Sequence, residues 1–460
     1  MKKIALSALA LLLSTVSFAA IQTSGSSLRE NYFKSDWAQV KDEGAPALPP
    51  VAAAPADEPP SEPTDDPNKP VEAEHSTVAH MHITRTAYEM YAAQYEGGEL
   101  ESFIGGISGD KPGEGHNTVI SGSYEEDKAN LNPFNDIMSF NRHFWNYKKG
   151  DYAGWLGFDS SVNRAHKYWS GGYGINGKYD KDWSDNSGAH RGTKGLGVLS
   201  LYRKGDKAKA YWYLGHVAHL LEDLTVPAHN LLWAHPFHNS DMYESYMGDH
   251  YAEWLQVPEG PVESFSTLYE IFRKTGEITH HYDAGNGPGL LGVDGDADRG
   301  RRRKTHFKEA QLKEEGRVLM PLAYKRVAAL FVYFFKQIDH TAPEVKLDSL
   351  NSSDPKSPDQ TSIQRVILHA SAVDAQSGVD RRSYRFEYRR WNGNSWTDWR
   401  TVDAKPQGAS TEFAAPAGGG LYGFRVSASD AVGNVGRSPE KYLRFSLPAL
   451  AGLKAPQPLR

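Results

Sequence analysis

GHVAHLLEDLTVPAHN, residues Gly215–Asn230, carries the densest chemical pattern in this chain. It sets His219, Asp223 and His229 in the order H-x3-D-x5-H. The run from about 206 to 221 predicts a helix, and residues four apart lie one turn apart on the same helix face. His219 and Asp223 therefore share a face, with His216 one turn earlier. Pro227 lacks a backbone N–H and crowds the preceding turn, so the helix is expected to end there and let His229 fold back toward the carboxylate. Two imidazoles and a carboxylate held this way suit zinc, which takes nitrogen and oxygen ligands. A single histidine on a helix face is more often packing or surface than ligand. The fixed spacing and the proline break set this group apart.

The whole chain bounds what such a site belongs to. Its 460 residues allow two or three domains, and 39% hydrophobic residues with 12% aromatics can fill real cores. A net charge of −6 excludes a global basic field of the kind that draws nucleic acid. There is no cysteine, so any metal must be held by His, Asp or Glu. Residues 1–19 read as a secretory signal peptide: Lys2 and Lys3, an apolar run Ile4–Val16, then small Ser17 and Ala19 before the cleavage point. That run is short for a membrane span, and no later stretch is expected to be long and uncharged enough. The mature protein is expected to be soluble and secreted, extracellular or periplasmic.

Residues 20–74 are mixed and then Pro-rich and acidic, a composition that cannot bury enough apolar surface to order itself. They read as a linker or a propeptide. From 75 to 338 the pattern is helical. Val78, Met81, Ile83, Ala87 and Met90 recur at helical spacing, with Ser76 or Thr77 as N-cap and His80 in the first turns. Glu125, Glu126 and Asp127 end the run VISGSYEED; a solvated loop is expected for the two glutamates. His143 precedes Phe144 and Trp145, which should desolvate it and favour a neutral, metal-competent ring. Further helices are predicted over 160–170, 242–255, 262–280 and 307–338, with a surface loop over 171–194. Asp294, Asp296 and Asp298 alternate in a Gly-rich loop that lacks the Gly and Glu of an EF-hand, so a solvated loop is preferred. Short alternating runs between Gly/Asn/Asp turns fill 341–447 and predict an immunoglobulin- or fibronectin-like β-sandwich. Trp396 and Trp399 are assigned to packing. Residues 448–460 read as a loose tail. The fold class is thus multidomain: a mostly α-helical catalytic domain followed by an all-β sandwich.

Over 75–338 these motifs resemble the bacterial zinc-dependent phospholipase C family, which shares a mostly helical fold and a three-zinc site with the S1/P1 nucleases. The resemblance implies eight metal ligands: His80 in HMHITRTA, Asp127 closing GSYEED, His143 in HFWN, then His219, Asp223 and His229, and last His238 with Glu244 of the Tyr243-Glu244 pair. His235 is the alternative to His238. It also implies that Asp127 orients or deprotonates the attacking water, that Asp223 bridges two ions, and that His229, His238 and Glu244 hold the third. Family members use an N-terminal tryptophan as a further ligand. Here Trp37 is the nearest tryptophan before His80, so this part of the pattern departs. The expected activity is cleavage of phosphatidylcholine-like lipids at a membrane surface, by a monomer without nucleic-acid partners. EDLTVPAHN stands closer to the lipase branch than to the D-x-H-Q-P-L-H style of the nucleases. An S1/P1-type single-strand nuclease and a non-enzymatic, zinc-stabilised surface-binding protein are the competing readings. Trp145, Trp233 and Phe237 are assigned to the core ahead of an apolar lipid-facing mouth.

Overall fold

The structure, a computed structural model, describes residues 74–113, 115, 117–127, 142–151, 159–180, 183, 194–232, 242–282, 309–402, 408–415 and 419–446. The signal-peptide reading, the Pro-rich segment up to 73, Trp233, His235, Phe237, His238, the Asp294–Asp298 loop and the tail lie outside the described residues, as does the side chain of Asp127.

The helical part contains α1 (Glu74–Gln94), α2 (Leu100–Phe103), α3 (Val119–Asp127), α4 (Ser161–Ser170), α5 (Val198–Arg203), α6 (Lys207–Asp223), α7 (Pro227–Asn230), α8 (Met242–Asp249), α9 (Leu268–Thr279) and α10 (Glu309–Lys336). Helix α6 is the axis. Every residue from Ala210 to Asp223 is buried, and its apolar side chains fall on all sides, as in a helix enclosed by others. Asp206 caps its start by accepting from the Lys209 N–H at 3.4 Å. Helices α1, α3, α4, α5 and α10 pack around it. The tightest crossing is with α3, and glycine makes it. A Cβ on Gly215 would sit 2.9 Å from Gly122 Cα and closer still to the Val119 carbonyl oxygen. A Cβ on Gly122 would meet the Trp212 carbonyl in the same way. The two backbones therefore touch, and side chains at Ser123 and Glu126 reach Glu222 and His216 of α6.

Several expectations change. Pro227 does not end the central helix. Helix α6 stops at Asp223, and Pro227 opens α7, where its missing N–H costs nothing and its preference for an extended preceding residue is met by Val226 (φ −84°, ψ 119°). The run VISGSYEED is helix, not loop, and Glu126 is 2% exposed rather than solvated. Helix α1 passes through Ser76 and Thr77, so neither caps it. The 262–280 helix begins only at Leu268, where Thr267 accepts from the Glu270 N–H at 3.0 Å and Glu270 reaches back to the Ser266 N–H at 2.8 Å. The 242–255 helix breaks after Asp249 into a 3₁₀ turn, Tyr251–Trp254. In the supposed 171–194 surface loop, Gly171 and Gly172 are buried and Trp183 packs edge-on against Tyr168 at 4.8 Å. Leu312–Lys336, contrary to the expectation that no such stretch exists, is long and apolar enough for a membrane span. It is mostly buried, with Leu319, Ala323, Val327, Leu330, Phe331 and Phe334 fully enclosed.

Short strands β1 (Tyr95–Glu96), β2 (Ile107–Ser108) and β3 (Lys111–Pro112) lie between α1 and α3, and after Asp339 the chain forms β4 (Glu344–Leu347), β5 (Asp359–Thr361), β6 (Arg365–Val373), β7 (Val379–Asp380), β8 (Arg385–Arg390), β9 (Arg400–Thr401), β10 (Ser410–Ala414), β11 (Gly420–Ser429), β12 (Val435–Arg437) and β13 (Lys441–Phe445). The sheets β10-β6-β4 and β5-β13-β11-β8-β9, with β12 on β11, face each other across Leu347, Leu368, Phe386, Phe413, Phe424 and Leu443, a β-sandwich as expected. Trp396 and Trp399 pack on its outer face under Arg389, and Arg425 also covers Trp399 at 3.9 Å. The sandwich is stapled to α1. Just after that helix, β1 (Tyr95–Glu96) pairs with β7, the Arg381 N–H donates to the Gln94 carbonyl at 3.1 Å, and the Tyr91 hydroxyl donates to the Ser377 carbonyl at 2.5 Å.

Gly215→Ala tests the α3–α6 crossing. Alanine normally favours a helix over glycine by about 1 kcal/mol, but overpacking costs about 1–3 kcal/mol, and here the obstacle is backbone. The expected outcome is a melting temperature lowered by several degrees; an unchanged or raised one would show that the helices do not touch.

Candidate metal centre

Four segments deliver five side chains to one buried point. Helix α6 presents His219 and Asp223, α1 presents His80, the segment after Arg142 presents His143, and α7 presents His229. His143 is placed by its neighbours. Phe144 and Trp145 are fully buried, the Trp145 N–H donates to the His229 carbonyl at 3.1 Å, and its indole N–H donates to the Gly150 carbonyl at 3.2 Å. Helix α7 is held in turn by Asn230, whose side-chain amide donates to the Gly276 carbonyl at 3.0 Å.

Asp223 is the hub. Its Oδ2 lies 2.8 Å from His143 Nδ1, 3.3 Å from His219 Nε2 and 3.7 Å from His229 Nδ1, and its Oδ1 lies 3.3 Å from His80 Nε2. His219 donates from Nδ1 to the Ser123 carbonyl at 2.8 Å, which turns Nε2 toward Asp223. The His80 and His219 rings stand 4.0 Å apart, centre to centre. On the far side, His229 Nε2 lies 3.6 Å from Glu244 Oε2 of α8.

Burial alone would push the Asp223 carboxyl up, but His219, His229 and His143 outweigh it and hold the group well below the usual carboxylate range. Burial likewise pushes the His229 imidazole down, yet Asp223 and Glu244 raise it to about 10. The Asp223 carboxylate is thus held ionised and the His229 ring beside it protonated, opposite charges in contact at one buried point.

A second buried carboxylate sits beside it. Glu126 accepts from Arg164 Nε at 2.7 Å, from the Tyr168 hydroxyl and from His216 Nδ1, and its Oε1 is 3.8 Å from His143 Nε2. Burial works against its charge, but Arg164 and then His216 hold its pKa well below the ordinary range. His216, though on the ligand face of α6, is thereby committed to Glu126 and stacks on Tyr168 at 4.6 Å. A third, Glu222, accepts from His80 Nδ1 at 2.8 Å.

Of the residues singled out from sequence, His80, His143, His219, Asp223 and His229 come together here, with Glu244 at the edge of the group. Asp127 ends α3 next to this cluster in sequence. Glu126 and Glu222 were missed; the i, i+3 spacing of His219 and Glu222 was the available signal for the second. Donor atoms from His143, His219 and Asp223 lie within 4.8 Å of one another, as do those from His80, His219 and Glu222. Imidazole nitrogens and carboxylate oxygens at this density, wholly buried, fit a borderline divalent cation such as zinc.

No protein-family model matches the chain, and no curated protein matches it. Among solved structures, the alpha toxin from Clostridium absonum is similar at 13% identity and a TM-score of 0.38, covering 81% of this chain and 97% of that one. The Clostridium perfringens alpha-toxin from an avian strain is similar at 10% identity and a TM-score of 0.36, with the same two coverages, 81% and 97%. Likenesses this distant carry no argument about activity, which rests on the site itself.

The charge balance predicts a pH response in protein kept metal-free by chelator. The folded His229 pKa is raised above its unfolded value of 6.5, so its contribution to stability is complete below about 6.5 and is lost as pH rises through about 10. Asp223 is lowered, so its contribution is present above 3.8 and is lost only as pH falls toward its depressed value. His229→Gln should therefore flatten the decline in melting temperature between pH 6.5 and 10. Parallel wild-type and variant curves over that range would refute the pairing.

Proposed function

We propose that this chain is a secreted zinc-dependent phospholipase C that hydrolyses phosphatidylcholine-like lipids to diacylglycerol and a phosphorylated headgroup. The observation that carries the proposal is the convergence of four histidines on the buried Asp223 carboxylate, with Glu244 on the outer side of His229. His143, His219 and Asp223 would hold one ion. His80 with the other Asp223 oxygen would hold a second. His229 and Glu244, joined by His238, would hold a third.

Zinc bound there supplies Lewis acidity toward a phosphodiester oxygen and toward water. The protein's own part is to arrange protons and exclude solvent. The Ser123 carbonyl keeps the His219 proton on Nδ1, so that Nε2 faces inward. Asp127 is the proposed base that takes a proton from the attacking water. The water oxygen adds to phosphorus, the bond from phosphorus to the glycerol oxygen breaks, and that oxygen leaves as diacylglycerol, taking up the proton that Asp127 removed from the water. The net charge of −6 and the EDLTVPAHN motif favour a lipid over a polyanionic nucleic acid. Exposed apolar side chains such as Leu255 and Val257 add to the surface beyond α8.

The direct test is release of phosphocholine from phosphatidylcholine vesicles by the purified mature protein, with chelator and then with zinc restored. Activity should vanish and return. A zinc-loaded protein that releases nothing, but cuts single-stranded nucleic acid, would replace the lipid reading with the nuclease one. Asp223→Asn should lose at least about one zinc equivalent and cut activity by two or more orders of magnitude, because the hub loses its charge. Full metal content in that variant would count against Asp223 as a ligand.

A further inference from the structure

Glu222 stands next to the hub in sequence but faces another way. Its side chain is fully buried, and among the described residues no lysine or arginine pairs with it. Instead the carboxylate is surrounded by three donors from two other helices. His80 Nδ1 lies 2.8 Å from Oε2, the Thr84 hydroxyl donates to Oε1 at 2.7 Å, and the Ser123 hydroxyl donates to Oε2 at 3.2 Å. His80 and Thr84 are one turn apart on α1, so one face of that helix grips the carboxylate at two points. The opposite nitrogen of the same ring, His80 Nε2, points to Asp223 Oδ1 at 3.3 Å. The ring is thus held between two adjacent carboxylates of α6, one on each nitrogen.

We infer that Glu222 is a positioning residue that keeps the His80 proton on Nδ1, and so presents the Nε2 lone pair to a divalent cation shared with Asp223. The inference rests on the zinc reading of the site. Two observations and one general rule support positioning over direct ligation. Both Glu222 oxygens already accept hydroxyl or ring hydrogens. The 2.8 Å separation from Nδ1 is a hydrogen-bond length. A carboxylate accepting from the second nitrogen of a ligating imidazole fixes its tautomer and raises its basicity. The Ser123 residue serves both rings: its carbonyl fixes His219 Nδ1 while its hydroxyl steadies the carboxylate that fixes His80 Nδ1. One residue of α3 therefore bears on two neighbouring imidazoles, on His219 directly through its carbonyl and on His80 through its hydroxyl and Glu222.

Two measurements test this on the full mature protein. The first needs no variant: nitrogen-15 NMR of the His80 ring in zinc-loaded wild type. The expected pattern is a proton on Nδ1 and a metal-shifted Nε2; coordination through Nδ1 would overturn the inference. The second is Glu222→Gln, which keeps the volume and an acceptor oxygen but removes the charge. Competition with a fluorescent zinc chelator should show one class of site weakened by about 10–100-fold, with the remaining zinc equivalents unchanged. A folded variant with wild-type zinc affinity at every site, altered only in melting temperature, would reduce Glu222 to a structural role and overturn the inference. If wild type binds no zinc, the proposed function fails first. If wild type binds zinc without lipase activity, the competition and NMR results still decide the role of Glu222.

Discussion

Backbone contact between α3 and α6 is the constraint on which this architecture turns. At Gly122 and Gly215 neither helix carries a side chain, so the two main chains approach within a distance that any Cβ would forbid. Beside that contact, the Ser123 carbonyl is close enough to accept from His219, and one turn on Glu126 reaches His216. Had these helices packed at the usual 8–10 Å, an intervening layer of side chains would separate the carboxylates of α3 from the rings of α6. The closeness costs two glycines in helices, each unfavourable by about 1 kcal/mol relative to alanine. Enclosure of α6 on all sides offsets that many times over, since each fully buried large apolar side chain contributes roughly 1.5–3 kcal/mol.

Within this frame the chemistry follows from charge in a dry place. Asp223 is buried, and a buried carboxylate is tolerated only with partners. It has four imidazoles around it. Glu126 and Glu222 solve the same problem differently, one with a permanent cation, Arg164, the other with a ring and two hydroxyls. Three acids in one region thus have three distinct environments. Asp223 faces ring nitrogens on several sides, Glu126 closes an ion network with Arg164 and His216, and Glu222 addresses the far side of the His80 ring.

What the sequence revealed follows the range of the interactions. His219 and Asp223 were legible because a helix fixes the geometry of residues four apart without help from the rest of the chain. The alternation in runs such as RVILHASAVD was legible for the same reason, and the sandwich followed. Glu126 was misread because three consecutive acids resemble a solvated loop, and its partners Arg164 and His216 lie 38 and 90 residues away. Glu222 was overlooked because its partner His80 lies 142 residues earlier. Pro227 was read for what proline breaks, whereas its fixed φ equally suits the first position of a new helix. Gly215 sits inside a buried helix that needs no flexibility there. Only the neighbouring backbone explains it.

The staple between α1 and the sandwich makes that helix a lever. His80 and Gln94 are fourteen residues apart, or about 21 Å at the rise of an α-helix. One end touches the hub carboxylate, while the other is gripped by the Arg381 N–H just after β7 and by the Ser377 carbonyl. A packed helix does not bend easily, so a tilt imposed on the sandwich is delivered to the His80 ring as a displacement. A different β-module grafted after Asp339 would have to reproduce that grip. Otherwise it would strand the Tyr91 hydroxyl in a buried position and leave one wall of the histidine–carboxylate cluster unbraced.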